Sequence, residues 1–172
     1  MLIEGVLERL CDRQQLVEVE PLGWRSRQKR RVYATQDVNR FLTLQARDAE
    51  TNRDRRRLQA LFDRFISGDF ISIGLEPPIM ATDIKRLSPA GAEVWEFKVG
   101  RGRSQLRVFG RFAALNTFVA LTGPVDRNRL DYEREIVRCR EEWRRLFDDE
   151  PPLYGKNEYD YIAPNGLSLR DT

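Results

Sequence analysis

The sequence contains no histidine in its 172 residues. That removes the commonest general base and the commonest metal ligand, so any proton transfer falls to Lys, Tyr, Asp or Glu. Cysteine is nearly as scarce. Cys11 and Cys139 lack a metal-ligand spacing and are too few for a disulfide scaffold. Each falls on a predicted helix, most simply as a small buried apolar residue. No apolar run approaches the roughly 18 residues of a membrane span. Glu4 and Glu8 interrupt the N-terminal apolar stretch, which argues against a secretory signal. A cytoplasmic protein without a membrane partner is expected, with no metal and no cofactor. Lysine is rare too. Of 30 basic residues only Lys29, Lys85, Lys98 and Lys156 are lysine, and the rest are arginine. A GC-biased genome explains such a surplus as readily as a need for phosphate contacts, to which the planar guanidinium is suited. The formal net charge of +3 is small, so the placement of charge matters more than its sum.

The most informative stretch is 93–122, EVWEFKVGRGRSQLRVFGRFAALNTFVALT. Alternation of apolar and polar residues marks half-buried strands. Trp95, Phe97 and Val99 share one face of the first run, with Glu96 and Lys98 opposite. In the second run Leu106, Val108 and Phe112 share a face, and Gln105, Arg107, Phe109 and Arg111 point the other way. Residues 116–122 are nearly continuous apolar and suit a central strand. The connectors Gly100–Arg103 and Ala113–Asn116 are hairpin length. An antiparallel meander follows, with one apolar face and one open face carrying Lys98, Arg107 and Arg111. A sheet that exposes cations invites a polyanion.

Around it, 2–15 reads as a helix striped by Leu2, Val6 and Leu10, and 16–20 as a short strand closed by Pro21. Residues 24–31, WRSRQKRR, form a basic cluster, either a phosphate grip or a solvated linker. A strand over 31–34 leads to a helix capped by Thr35 and running to about Glu50. A second helix, capped by Asn52, runs to Ser67, with Gly68 at its C-terminus. Arg53, Arg55, Arg56 and Arg57 crowd its positive end; either Asp54 and other acids offset them or they face a partner. Residues 69–92 read as a connector with an extended piece at 71–73. Gly123-Pro124 is expected to end the last strand. A helix over 129–147 follows, stopped by Pro151-Pro152 and trailed by an irregular Tyr-bearing tail, laid across the domain by its aromatics. No repeat or low-complexity tract is present.

The words IKRLSPAGAEVWEFKVGRGRSQLRVFGRF at 84–112, NTFVALTG at 116–123 and YEREIVRC at 132–139 carry a resemblance. Their order and spacing, over about 30–147, resemble the RelE/ParE superfamily of small bacterial toxins, in its HigB-like, phage-derived branch. The resemblance implies an α+β fold: a small curved antiparallel sheet in the order β-α-α-β-β-β-α. Residues 1–28 would be an N-terminal helical extension, 29–148 the toxin domain and 149–172 a C-terminal tail. It implies a type II toxin with a helix-turn-helix antitoxin partner. Many such toxins cut mRNA on the ribosome without metal: the 2′-hydroxyl attacks the adjacent phosphate and leaves a 2′,3′-cyclic phosphate. By this resemblance Lys98 takes or relays the proton, Arg107 stabilises charge on the phosphate, and Tyr132 lies against a base or the nucleophile. Arg103, Arg111, Arg127 and Arg129 would bind RNA.

The chain departs from the pattern at Glu96, where a second Lys is common, at Leu106, where the family has Tyr, and at Pro124-Val125-Asp126, which replaces a basic pair. Plain readings stand beside these roles. Arg107 and Arg111 would be an edge ladder paired with Glu96 and other acids, Lys98 a solvated strand lysine, and Tyr132 a helix-packing aromatic. Trp95, Phe97, Trp143 and Phe147 read as core. Two further functions follow from the same resemblance: an inactive binding module for nucleic acid or a protein, and a ParE-like gyrase inhibitor.

Overall fold

A computed structural model of the chain describes residues 2–23, 28–75, 82–100 and 102–164. Residues 24–27 of the basic cluster and Arg101 of the first hairpin lie outside them. The chain runs α1 (Ile3–Asp12), β1 (Leu16–Glu18), β2 (Arg31–Thr35), α2 (Gln36–Thr43), α3 (Ala49–Ser67), β3 (Ile73–Gly74), β4 (Ile84–Arg86), β5 (Trp95–Val99), β6 (Leu106–Ala114), β7 (Thr117–Asp126) and α4 (Tyr132–Phe147). The strands form one seven-stranded mixed sheet in the order β1-β2-β7-β6-β5-β4-β3. The fold is α+β, but the sheet is neither small nor wholly antiparallel. β2 runs parallel to β7, with Val32 opposite Phe118, and β3 runs parallel to β4. The piece expected as connector adds β3 and β4. The piece expected as an extension adds β1, which pairs with β2 from Leu16 opposite Thr35.

The alternation in the meander sorts side chains as the pattern requires. Trp95, Phe97, Val108, Phe112 and Phe118 meet Val38, Leu42, Leu58, Phe62 and Phe65 of α2 and α3. Phe97 stacks on Phe118 at 4.4 Å and takes the edge of Phe62 at 5.5 Å. The opposite face, expected to be open, is covered. Phe109, Val119, Leu121 and Tyr33 pack against Val6, Leu7 and Leu10 of α1 and against Ile136, Trp143 and Phe147 of α4. The expectation failed because α1 and α4 each carry an apolar stripe that needs a partner, and only this face can supply one.

Local chemistry moves several boundaries. Asp48, not Asn52, caps α3 by accepting from Thr51 N at 2.7 Å. Asn52 instead closes the loop after α2, exchanging hydrogen bonds with the Ala46 backbone. Thr35 precedes α2 but gives its hydroxyl to Leu121 O at 2.9 Å. Gly68 ends α3 at φ +78. β7 continues through Gly123-Pro124 to Asp126.

The tail after α4 is irregular and structural. Leu153 N donates to Phe112 O and Asn116 N to Tyr161 O. Tyr161 is fully buried between Trp95 and Phe112, at 4.6 and 5.3 Å. Its hydroxyl donates to the Glu93 carboxylate and accepts from Arg86 Nη1 at 2.9 Å and Gly155 N at 2.7 Å. Arg86 and Glu93 form a buried ion pair at 3.3 Å. Burial and the neighbouring Glu93 push the Tyr161 phenol up to about 12.

Removing that hydroxyl takes a partner from the buried Glu93 and Arg86 and from the half-buried Gly155 N–H. Tyr161→Phe is expected to cost about 1–3 kcal/mol in denaturant unfolding. Glu93→Ala, which strands Arg86, is expected to cost about 3–5 kcal/mol.

Candidate functional site

Both faces being covered, the sheet opens at one end, where β5 passes into β6. Glu96, Lys98 and Arg107 project to the same side there, because Lys98 lies directly opposite Arg107 in the β5–β6 register. A cleft of about 860 Å³ wraps around this end. Lys98, Val99, Gly100, Gly102, Gln105 and Arg107 line it from the hairpin. Arg127 follows β7, Arg57 and Arg64 come from α3, and Thr82 and Asp83 precede β4. Among the described residues, five cations and one carboxylate line the cleft, with Asp54 and Glu96 paired to two of the cations behind it.

The hairpin is held at both sides. Gly100 sits at φ +85, and a Cβ there would collide with the Ser104 carbonyl oxygen. Ser104 Oγ donates to Asp54 Oδ2 at 2.7 Å, and the same buried Asp54 pairs with Arg57 at 3.3 Å. On the other side Arg127 N donates to Gln105 O at 2.9 Å. Asp83 is fixed by Ser72 N and Oγ, both at 3.0 Å, and by Arg64 at 3.0 Å. Burial raises its carboxyl, but these partners outweigh that and hold it below the ordinary value.

Arg107 is only 5% exposed. Its guanidinium donates to Leu106 O at 3.0 Å and Gln105 Oε1 at 3.1 Å. Its Nε lies 3.4 Å from Glu96 Oε2 without a hydrogen bond. Glu96, 3% exposed, therefore neutralises Arg107 from beneath, as the ion-pair reading anticipated. Lys98 is half-buried and has no carboxylate within ion-pair distance among the described residues. Its amine is held below the ordinary value, first by burial and then by the charges of Lys85, Arg107 and Arg127, with Glu96 opposing. A lysine so placed reaches its neutral, proton-accepting form at lower pH than a free one.

The other anticipated residues separate. Tyr132 donates its phenol to Glu96 Oε2 at 3.0 Å and sets its ring edge-on to Phe109 at 6.4 Å. Burial and Glu96 raise its pKa, so it stays protonated and positions Glu96 rather than taking a proton. Arg111 does not reach the cleft. It lies under α4, donates to Ala92 O at 2.7 Å and Glu93 O at 3.4 Å, and stacks over Trp143 at 5.4 Å. A buried guanidinium held by carbonyls is structural, and α4 is what shuts it from solvent. Arg103 and Arg129 are exposed near the hairpin and outside the cleft wall. Of the seven, the cleft joins Lys98, Arg107 and Arg127. Arg64 was not anticipated. Its only sequence signal is its spacing of seven residues from Arg57 along one helix face. No family model, curated protein or solved structure matches the chain.

The depressed Lys98 amine carries a stability consequence with a definite sign. Its folded pKa lies below its unfolded one, so the unfolded chain binds the proton more tightly and stability rises with pH. The penalty is full below the folded pKa and gone above the ordinary value of 10.5. Lys98→Met is expected to raise the melting temperature at neutral pH. The gap between variant and parent should close as pH climbs toward that upper limit, as read by calorimetry across pH.

Proposed function

We propose that the protein is a toxin-type endoribonuclease of the RelE/ParE kind, HigB-like branch, that cleaves messenger RNA and is restrained by an antitoxin. The observation that carries this is the convergence of Lys98 and Arg107, from opposed positions on β5 and β6, on one water-accessible cleft rich in cations. The order of β2, α2, α3, β5, β6, β7 and α4 supports a RelE-like core to which α1, β1, β3 and β4 are added. In the reaction Lys98, as the free amine, takes the proton of a ribose 2′-hydroxyl. The 2′-oxygen bonds to phosphorus and the P–O5′ bond breaks. The 5′-oxygen recovers a proton from water at the cleft mouth or from the Lys98 ammonium. Arg107 and Arg127 balance the negative charge that grows on the phosphoryl oxygens, and no metal or cofactor is required by this scheme.

A second reading is favoured by a specific contact. Glu96 occupies both Arg107 and Tyr132, which suits a module that binds RNA without cutting it. Induction of the gene is expected to arrest growth and to leave mRNA fragments with 2′,3′-cyclic phosphate ends. Lys98→Ala should lower the cleavage rate about 10²–10⁴-fold and Arg107→Ala about 10²–10³-fold, with growth restored. A harmless wild type that binds RNA in a salt-dependent way and leaves it whole would select the module instead.

A further inference from the structure

Resting on the reading of this cleft as an RNA site, we propose that α3 forms a second phosphate-binding wall. The ligand is then an extended single strand of several nucleotides, not a mononucleotide or dinucleotide. Arg57 and Arg64 lie seven residues apart on one face of α3, about 10 Å along its axis at about 1.5 Å per residue. Each is paired on its inner side, Arg57 with Asp54 at 3.3 Å and Arg64 with Asp83 at 3.0 Å, and each keeps part of its side chain exposed. One phosphate cannot span the distance between them, so the two serve different phosphates. Between them on the same face Ala60 lines the cleft and leaves room for a sugar or base. Arg53, exposed one turn earlier, continues the stripe.

The wall is rigid where it meets the hairpin, through the Asp54 contacts with Ser104 and Arg57. It also faces polar atoms that have no hydrogen-bonding partner. Thr82 Oγ1 and Arg107 Nε are buried without one, and both residues line the cleft. Arg107 Nε lies 3.4 Å from Glu96 Oε2 in a buried ion pair, so the unpartnered atom on the side of the cleft across from α3 is Thr82 Oγ1. A duplex keeps its phosphates on the outside of a rod and meets one wall at a time. A single strand can lie between two cationic walls with successive phosphates on each. An acidic protein segment would also meet positive charge. The spaced arginines, with a small residue between them, fit a repeating phosphate better than a carboxylate cluster.

The test uses non-cleavable 2′-O-methyl oligoribonucleotides, from a dinucleotide to about twelve nucleotides, with binding read by fluorescence anisotropy over a salt series. Affinity is expected to rise steeply with length and then level off. Arg57→Ala/Arg64→Ala should weaken the longest strand about tenfold or more and flatten the log–log salt slope by about 1.4, the loss of two single-strand contacts. The dinucleotide should be unaffected. Arg64→Lys, which keeps the charge, should recover most of the binding.

Affinity independent of length, an unchanged double variant, or equal binding of poly-glutamate that falls equally in the variant would each overturn the proposal. The nuclease reading is tested apart from it. If cleavable RNA stays whole while the length and variant effects hold, only the nuclease falls. If dinucleotides are cut as fast as long RNA, the second wall falls and the nuclease stands.

Discussion

A cation cannot be sealed under a helix without a partner, since the uncompensated charge costs several kcal/mol. In this chain both faces of the sheet are roofed, by α2 and α3 on one side and α1 and α4 on the other. Each strand arginine must therefore find an acceptor inside or reach the sheet's end. Arg86 takes Glu93, Arg107 takes Glu96, and Arg111 takes two backbone carbonyls. Among the described residues, Lys98 and Arg127 reach the open end with no carboxylate in ion-pair range. The character of the cleft is thus a by-product of how the interior settles its charges.

Glu93 and Glu96 show the two uses of a buried carboxylate. Glu93 sits at φ +50, an uncommon conformation for a residue with a side chain. Its contacts to Arg86, Tyr161 and Trp95 Nε1 tie the segment after α4 to the start of the meander. Glu96, three residues on, faces the other side of the sheet and gathers Tyr132 and Arg107. One carboxylate secures the chain's course and its neighbour sets the charge beneath the cleft.

The meander was legible because a period of two fixes which side chains share a face. That placed Phe97 with Val108 and Lys98 with Arg107, as the register has them. Which face meets water does not follow from the period alone. The helices that cover the Arg111 side are distant in sequence, and a stripe such as Val6–Leu10 does not announce its partner. The tail's aromatics lay it across the domain as expected, through Tyr161, but which of Tyr154, Tyr159 and Tyr161 is the buried one does not show in an aperiodic chain. β3 and β4 have two and three residues, too short for any alternation to be counted. Arg64 was obscured by the general abundance of arginine, against which a helical spacing of seven barely stands out.

The parallel pairing of β2 with β7 has a bearing on the order in which the molecule can assemble. Thr35 and Leu121, joined by a hydrogen bond, are 86 positions apart. A nascent chain therefore makes α2 and α3 well before the strands that will cover their apolar side. Loop closure of that size must precede any reward from the pairing. During synthesis the early helices travel bare, a stretch in which a chaperone's grip would find Phe62 and Phe65 still in reach.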